Sequence, residues 1–396
     1  MVFVVVACTD ASEDPSTSTE SATTTTQTTE SVPDVVVEAG RLAIIEDDGT
    51  IAILDPDGSN RVAITEPAGE LIYTQPIWSP DSTRIAFGQL SEDGFALRVE
   101  GLGGAERLSI PVSNNPFFMH WSPDSQKIGV LHNGAQGLDF EMVDVAAGTI
   151  DLLGAGSPFY FSWSEDSDRV AVHVGPNRFE ILDLQGNVMS LGETSGGYLA
   201  PQWLPQGILH VVDDQLVFRR DGEPLVLVDV GEQTMFVANP DASFVALQSL
   251  APRVQTVSMV QEGPMQDNVV AVVYTRSLEV EVVDTEPVVG MWWSPDGRSL
   301  LLLTPTSDGS SVMAKVWTED DGLVEYVNYV PSALHVRDVF PFFPQYAQSM
   351  TFWSPDSSGF ALVGEIDGET GIWIQALGGS DPVLVSDGLW AAWSRG

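Results

Sequence analysis

A single cysteine, Cys8, stands in a chain of 396 residues, so no intrachain disulfide can form and the fold must rest on its core. Basic residues are also scarce: Lys and Arg number 16 against 56 Asp and Glu, a formal charge of −40. A surface of that sign repels phosphate, which excludes nucleic acid as a partner, and it offers no basic patch to anionic lipid. Long apolar runs are missing too. No stretch approaches the ~18 consecutive apolar residues of a membrane-spanning helix. Catalytic signatures are equally thin, with no H-E-x-x-H, no phosphate-binding Gly-rich loop opening a helix and no cysteine pair for zinc. What the chain does have is ordinary apolar content, 43%, enough for a sizeable core. Its length suits two average domains or one large all-β domain.

The N-terminus has its own character. Residues 1–8 read MVFVVVAC, and the run Val5-Val6-Ala7-Cys8 resembles the lipobox of bacterial lipoproteins, in which the cysteine is lipidated. That resemblance implies Cys8 as the anchor. No Lys or Arg precedes Arg41 and only seven residues precede Cys8, whereas an export signal carries a basic start and a longer apolar stretch. The expectation is a signal whose true start lies upstream. Residues 9–40 are rich in Ser, Thr and acid and almost free of large apolar side chains before Val35. Such a segment cannot bury enough surface to offset its ordering entropy, and it reads as a disordered tether.

From Arg41 to Gly396 short apolar runs alternate with Gly, Asp, Asn and Pro turns, as in RLAIIEDDGTIAILDPDGSNRVAIT at 41–65. Runs of this length, rich in Val, Ile and Leu, are strands. A Trp-Ser-Pro-Asp tetrapeptide precedes several triplets of strands: Trp78 with Asp81, Trp121 with Asp124, Trp293 with Asp296, Trp353 with Asp356, and the variant Trp163 with Asp166. Worn copies stand at Trp203, Ala238 and Trp393. A recurrence near forty residues with four strands per unit predicts an all-β fold, a β-propeller of four-stranded blades. Eight blades are favoured, with seven as the alternative. The ring closes when the C-terminal Trp393 strand pairs with the N-terminal blade. The two longest steps imply insertions near 251–268 and 331–347.

Ser-Pro-Asp is type I turn chemistry, and the position after it is Gly297 in one copy but Ser82, Ser125, Ser167 and Ser357 in others. A type I turn needs no positive φ there. The indole then fills the wedge between blades. Arg84, Lys127 and Arg169 each lie three residues beyond the turn acid, a spacing that predicts repeated salt bridges.

The stretch Pro76-Ile-Trp-Ser-Pro-Asp-Ser-Thr-Arg-Ile-Ala-Phe87, with the turn Asp55-Pro-Asp-Gly-Ser59, resembles the WD40-like repeats of the TolB-like propeller family. The resemblance covers most of 41–396 and implies the fold. For function it implies one of several roles: interaction scaffold, binding module, or gating domain of a prolyl-oligopeptidase-like enzyme. The last of these needs a G-x-S-x-G elbow, and the chain has none.

Other chemistry is weaker. His132, His173 and His210 fall in second strands of successive blades, at different offsets from the blade Trp, and read as packed side chains. Asp55, Asp57, Ser59 and Glu66 occupy oxygen-ligand positions of a calcium loop, but Asn60 stands where such a loop carries Gly and the flanks are strands. Calcium is therefore a minor alternative to no cofactor. Connections between blades are aromatic, and Phe340, Phe342, Phe343 and Tyr346 in the second insertion, with Phe117 and Phe159 beside them, form the expected partner-binding surface. The competing arrangement has the insertion plugging the channel. The resulting expectation is an exported, lipid-anchored, monomeric, non-enzymatic propeller of the cell envelope. Its partner would be an envelope protein or a small extracellular ligand. The alternative is a metal-assisted hydrolase or lactonase with its site at the channel mouth.

Overall fold

The repeat turn builds each blade. In the computed structural model, which describes residues 40–104, 107–193, 200–220, 223–230, 234–249, 269–379 and 381–395, the amide of Ser82 donates to the carbonyl of Ser79 at 2.8 Å, closing the turn. The hydroxyl of Ser79 donates to the Asp81 carboxylate at 2.5 Å, and that carboxylate accepts the amide of Thr83 at 3.0 Å. The same Ser-to-Asp bond recurs at Ser122–Asp124, Ser164–Asp166, Ser294–Asp296 and Ser354–Asp356. One expectation fails here. Ser82, Ser125, Ser167 and Ser357 all have positive φ, 56° to 63°, because the type I turn runs on into a bulge whose next residue is left-handed. Serine is tolerated there in three blade pairs because its hydroxyl does work a glycine could not. Ser125, Ser167 and Ser357 accept the amides of Asp81, Asp124 and Asp296 from the blade before, at 3.0 to 3.1 Å.

Each turn feeds an antiparallel sheet. One blade runs Ile72–Trp78, Arg84–Ser91, Gly94–Gly101 and Arg107–Val112, from inner to outer strand. Four more four-stranded sheets repeat the pattern, with inner strands Pro116–Trp121, Phe159–Trp163, Gln202–Leu204 and Thr234–Ala238. The next blade starts at Gly290–Trp293, and its outer strand Gly322–Pro331 also pairs with Gly359–Ile366 of the blade that follows. In that blade the inner strand is reduced to a bridge between Trp353 and Phe360. The first blade is composite: Trp390–Trp393 pairs antiparallel with Leu42–Ile45, Leu42 opposite Trp393 and Ile45 opposite Trp390. That makes eight blades, closed as the end-strand pairing predicts.

Second strands are buried along their length, Ser299–Pro305 almost without a break, while outer strands such as Thr149–Gly156 face water. A second strand has a neighbouring blade on each face, which is why its sequence is a continuous apolar run and not an alternation. The inter-blade indoles are buried: Trp78, Trp121, Trp163 and Trp353 are all 5% exposed or less. Among the described residues no helix is long and apolar enough to cross a membrane. Cys8, the tether and the first insertion lie outside the described residues.

Candidate functional site

The inner strands surround an axial channel, and the second insertion enters it and bonds to those strands. After Pro331 the chain makes three short helical turns, His335–Val339, Phe340–Phe342 and Phe343–Tyr346. Gln345 then bonds the inner strand of another blade as a strand would: its amide nitrogen donates to Phe161 O at 2.8 Å and its oxygen accepts Phe161 N–H at 3.0 Å. Tyr346 donates its hydroxyl to Phe117 O. Gln348 accepts from Ser162 Oγ at 2.5 Å and donates to Pro201 O at 3.2 Å.

This plug corrects part of the expected partner surface. Phe343 is fully buried, Tyr346 is 4% exposed and Phe159 is 2% exposed; their rings pack in the core, Phe343 against Trp292 and Tyr346 against Phe118. Rings so enclosed present no contact surface. The insertion is apolar because it replaces water inside a channel. Phe340 and Phe117 are half-buried. Phe342 alone of the six is exposed, at 48%, with its ring centroid 6.4 Å from that of Phe117.

On the opposite face, where the Ser-Pro-Asp turns gather, the channel stays open. A chamber of about 390 Å³ lies there, floored by Ala347, Gln348 and Ser349 of the plug, and a lobe of about 350 Å³ adjoins it beneath Trp293 and Trp353. The third residue of most repeats forms the rim. Pro80, Pro123, Pro205 and Pro240 line the chamber, and Pro295 and Pro355 line the lobe. In the composite blade that position is Arg395. Its guanidinium donates to Gln348 O at 3.2 Å, and its amide donates to Ser82 Oγ at 3.1 Å. Arg395 is exposed, and desolvation by the surrounding wall pulls its pKa below the ordinary guanidinium value without removing its charge. His120 lines the same wall; burial depresses its imidazole to about 3, helped by the charge of Arg395, so it is neutral. Its Nδ1 has no hydrogen-bond partner.

The walls are otherwise indole edges and prolines. Several repeat indoles spend their N–H on the preceding blade: Trp121 on Ile77 O at 3.4 Å, Trp163 on His120 O at 3.1 Å and Trp293 on Val237 O at 3.0 Å. Where Ala238 replaces the indole, Gln202 bridges the same pair of blades, donating to Phe236 O and accepting the amide of Ala238.

The remaining candidates are placed as follows. Asp55 accepts from Arg41 and from Asn60, and Asp57 accepts the amide of Ser59 within a hairpin turn. Among the described residues no group of three His, Cys, Asp or Glu is placed to hold a metal. His132, His173 and His210 are each 4% exposed or less, in second strands. The predicted salt bridges form at Arg84–Asp81, 3.5 Å, and Arg169–Asp166, 3.0 Å. Lys127 turns instead to Asp144 at 2.7 Å, which stands directly opposite it on the neighbouring strand. Arg395 and Gln348 drew no attention from the sequence. The available signal was the departure of Trp393-Ser-Arg-Gly from the repeat.

No family model and no curated protein matches this sequence. Solved structures do. A eukaryotic initiation factor superposes with a TM-score of 0.57 at 12% identity, covering 91% of this chain and all, 100%, of its own. Oligogalacturonate lyase from Vibrio parahaemolyticus reaches 0.52 at 13% identity, covering 87% and 98%. The likeness establishes a β-propeller. At such identities it establishes nothing finer. TolB from Acinetobacter baumannii also matches, at 0.39 and 15% identity over 71% of this chain and 61% of that one, too loosely to argue from.

Proposed function

We propose that this propeller is an exported, lipid-anchored binding module of the cell envelope, non-enzymatic, whose binding site is the open chamber on the turn face. The observation that carries this reading is the asymmetry of the channel. The plug occupies one end, and the other is a chamber of a few hundred Å³ where Trp and Pro walls meet a few convergent polar side chains, a build that suits a ligand pocket. Cys8 and the tether support anchoring. The hydrolase or lactonase alternative would draw metal or proton-transfer groups from carboxylates at this mouth, and among the described residues no Asp or Glu lines the chamber or its lobe.

Photo-crosslinking in intact cells tests the reading. A photoreactive residue in place of Leu204, on the chamber wall, should give a discrete adduct. The same residue in place of Leu384, on an outer strand, should not. Equal labelling from both positions, or none from Leu204, would overturn the assignment of the site.

A further inference from the structure

The chain carries 56 acidic residues, yet among the described residues none lines the open channel, and the charged side chain that does line it is cationic Arg395. On a surface with this excess of acid, an acid-free wall around a lone cation is a strong local inversion. Arg395 has no carboxylate within ion-pair distance among the described residues, and only one of its donors is bonded, to a carbonyl. Guanidinium presents five donors in a planar fork that matches a carboxylate, so most of that capacity faces the chamber unspent. The repeat carries an acid at the rim place of one blade, Glu165, and it is exposed and outside the lining. The rim aspartates turn away: Asp81, Asp124, Asp166, Asp296 and Asp356 each accept the serine hydroxyl of their own turn.

Indole edges and prolines make the apolar part of the chamber wall, and Ser162, Gln202, Gln348 and Ser349, with the unpartnered Nδ1 of neutral His120, make its polar part. We propose, building on the chamber as the binding site, that it takes a small organic carboxylate with an apolar body, the carboxylate on Arg395 and the body against the Trp and Pro walls. The size fits a small molecule and not a folded partner. Distant surface acids do not defeat the contact, since at physiological salt their field decays over about 8 Å while Arg395 acts at hydrogen-bond distance.

The probe pair is 4-phenylbutyrate and its neutral isostere 4-phenylbutyramide, titrated calorimetrically into the full chain at 0.15 M salt. The acid should bind about tenfold or more tightly than the amide, the worth of one charge-assisted contact. Arg395→Gln should erase that ratio by weakening the acid and leaving the amide unchanged, and Arg395→Lys should keep part of it. Should Arg395→Gln lower the melting temperature, the Lys variant, compared with the parent well below both midpoints, still reads the ratio. Equal binding of acid and amide overturns the carboxylate assignment and leaves the chamber as a binding site. Failure of both probes to bind overturns the small-ligand proposal, and the crosslinking at Leu204 then decides the site separately.

Discussion

The indole of Trp78 donates to the carbonyl of Ala392 at 3.1 Å, across 314 positions of chain. It is the same bond that Trp121 makes to Ile77 and Trp353 makes to Trp292, always to the residue just before the Trp position of the preceding blade. The repeat therefore closes on itself chemically as well as topologically. The indoles are inter-blade staples, which is why the chain spends so many of them on one motif.

Removing residues 389–396 should abolish the folded ring. It strips the inner strand from Leu42–Ile45, exposes a bare edge, and deletes Trp390 and Trp393, both 2% exposed or less. Loss of one buried Trp costs ~3–5 kcal/mol. Aggregation or a collapse of the thermal midpoint is the expected result, and a truncated protein as stable as its parent would refute this closure. A milder probe is Trp78→Phe, which keeps most of the packing but orphans the buried carbonyl, for about 1–3 kcal/mol.

Phe342 and Phe343 are adjacent and should behave oppositely. Phe343 sits on Trp292 with ring centroids 5.2 Å apart and is fully buried, so Phe343→Ser should cost ~3–5 kcal/mol in denaturant unfolding. Phe342→Ser should stay within about 0.5 kcal/mol of the parent. If the two variants unfold alike, the plug does not sit as described.

The blades were legible because the repeat writes turn chemistry and strand period together, at Ser79-Pro80-Asp81 and its copies. The positive φ of Ser125 and Ser167 was not, because it comes from the bulge after the turn, and their serine hydroxyls answer the preceding blade's need for an acceptor, a contact between residues more than forty positions apart. The fate of the insertion was illegible for a similar reason. Aromatic side chains at Phe343 and Tyr346 suit a buried plug and an exposed contact surface equally, and only the channel decides. Arg395 hid in a worn copy of the motif, where a departure from the repeat marks the site better than the repeat itself.

Lys315 is a second place where the acid excess is managed locally. Its ammonium, 4% exposed, donates to Asp284 at 2.8 Å and to Glu286 at 2.6 Å. Asp284 is itself buried, with a side chain 8% exposed. Lys315→Met should destabilise by about 3–5 kcal/mol, because it leaves a buried carboxylate without its partner. Adding Asp284→Asn should recover part of that loss. A double variant no better than the single would show that packing around the lysine stem, and not the orphaned charge, sets the cost.

His335 gives the protein a pH dependence of definite sign. It lies in the plug, 1% exposed, with ring contacts to Phe340, Phe352 and Trp390 and no hydrogen-bond partner for either ring nitrogen. Burial lowers its pKa from 6.5 to about 4, only partly offset by Asp338. The folded state therefore takes up fewer protons than the unfolded state between these values, so stability is complete above pH 6.5 and declines as the pH falls towards 4. At pH 5 the loss from this one group is about 2 kcal/mol. His210, lowered to about 4 mainly by burial, acts in the same direction. His335→Phe should flatten the profile. Comparing parent and variant by denaturant unfolding at pH 8 and pH 5, the variant should gain about 2 kcal/mol relative to the parent on going to the lower pH. Any constant cost of fitting the larger ring cancels in that difference. Parallel profiles would mean that His335 is not buried neutral, and the plug around it would have to be redrawn.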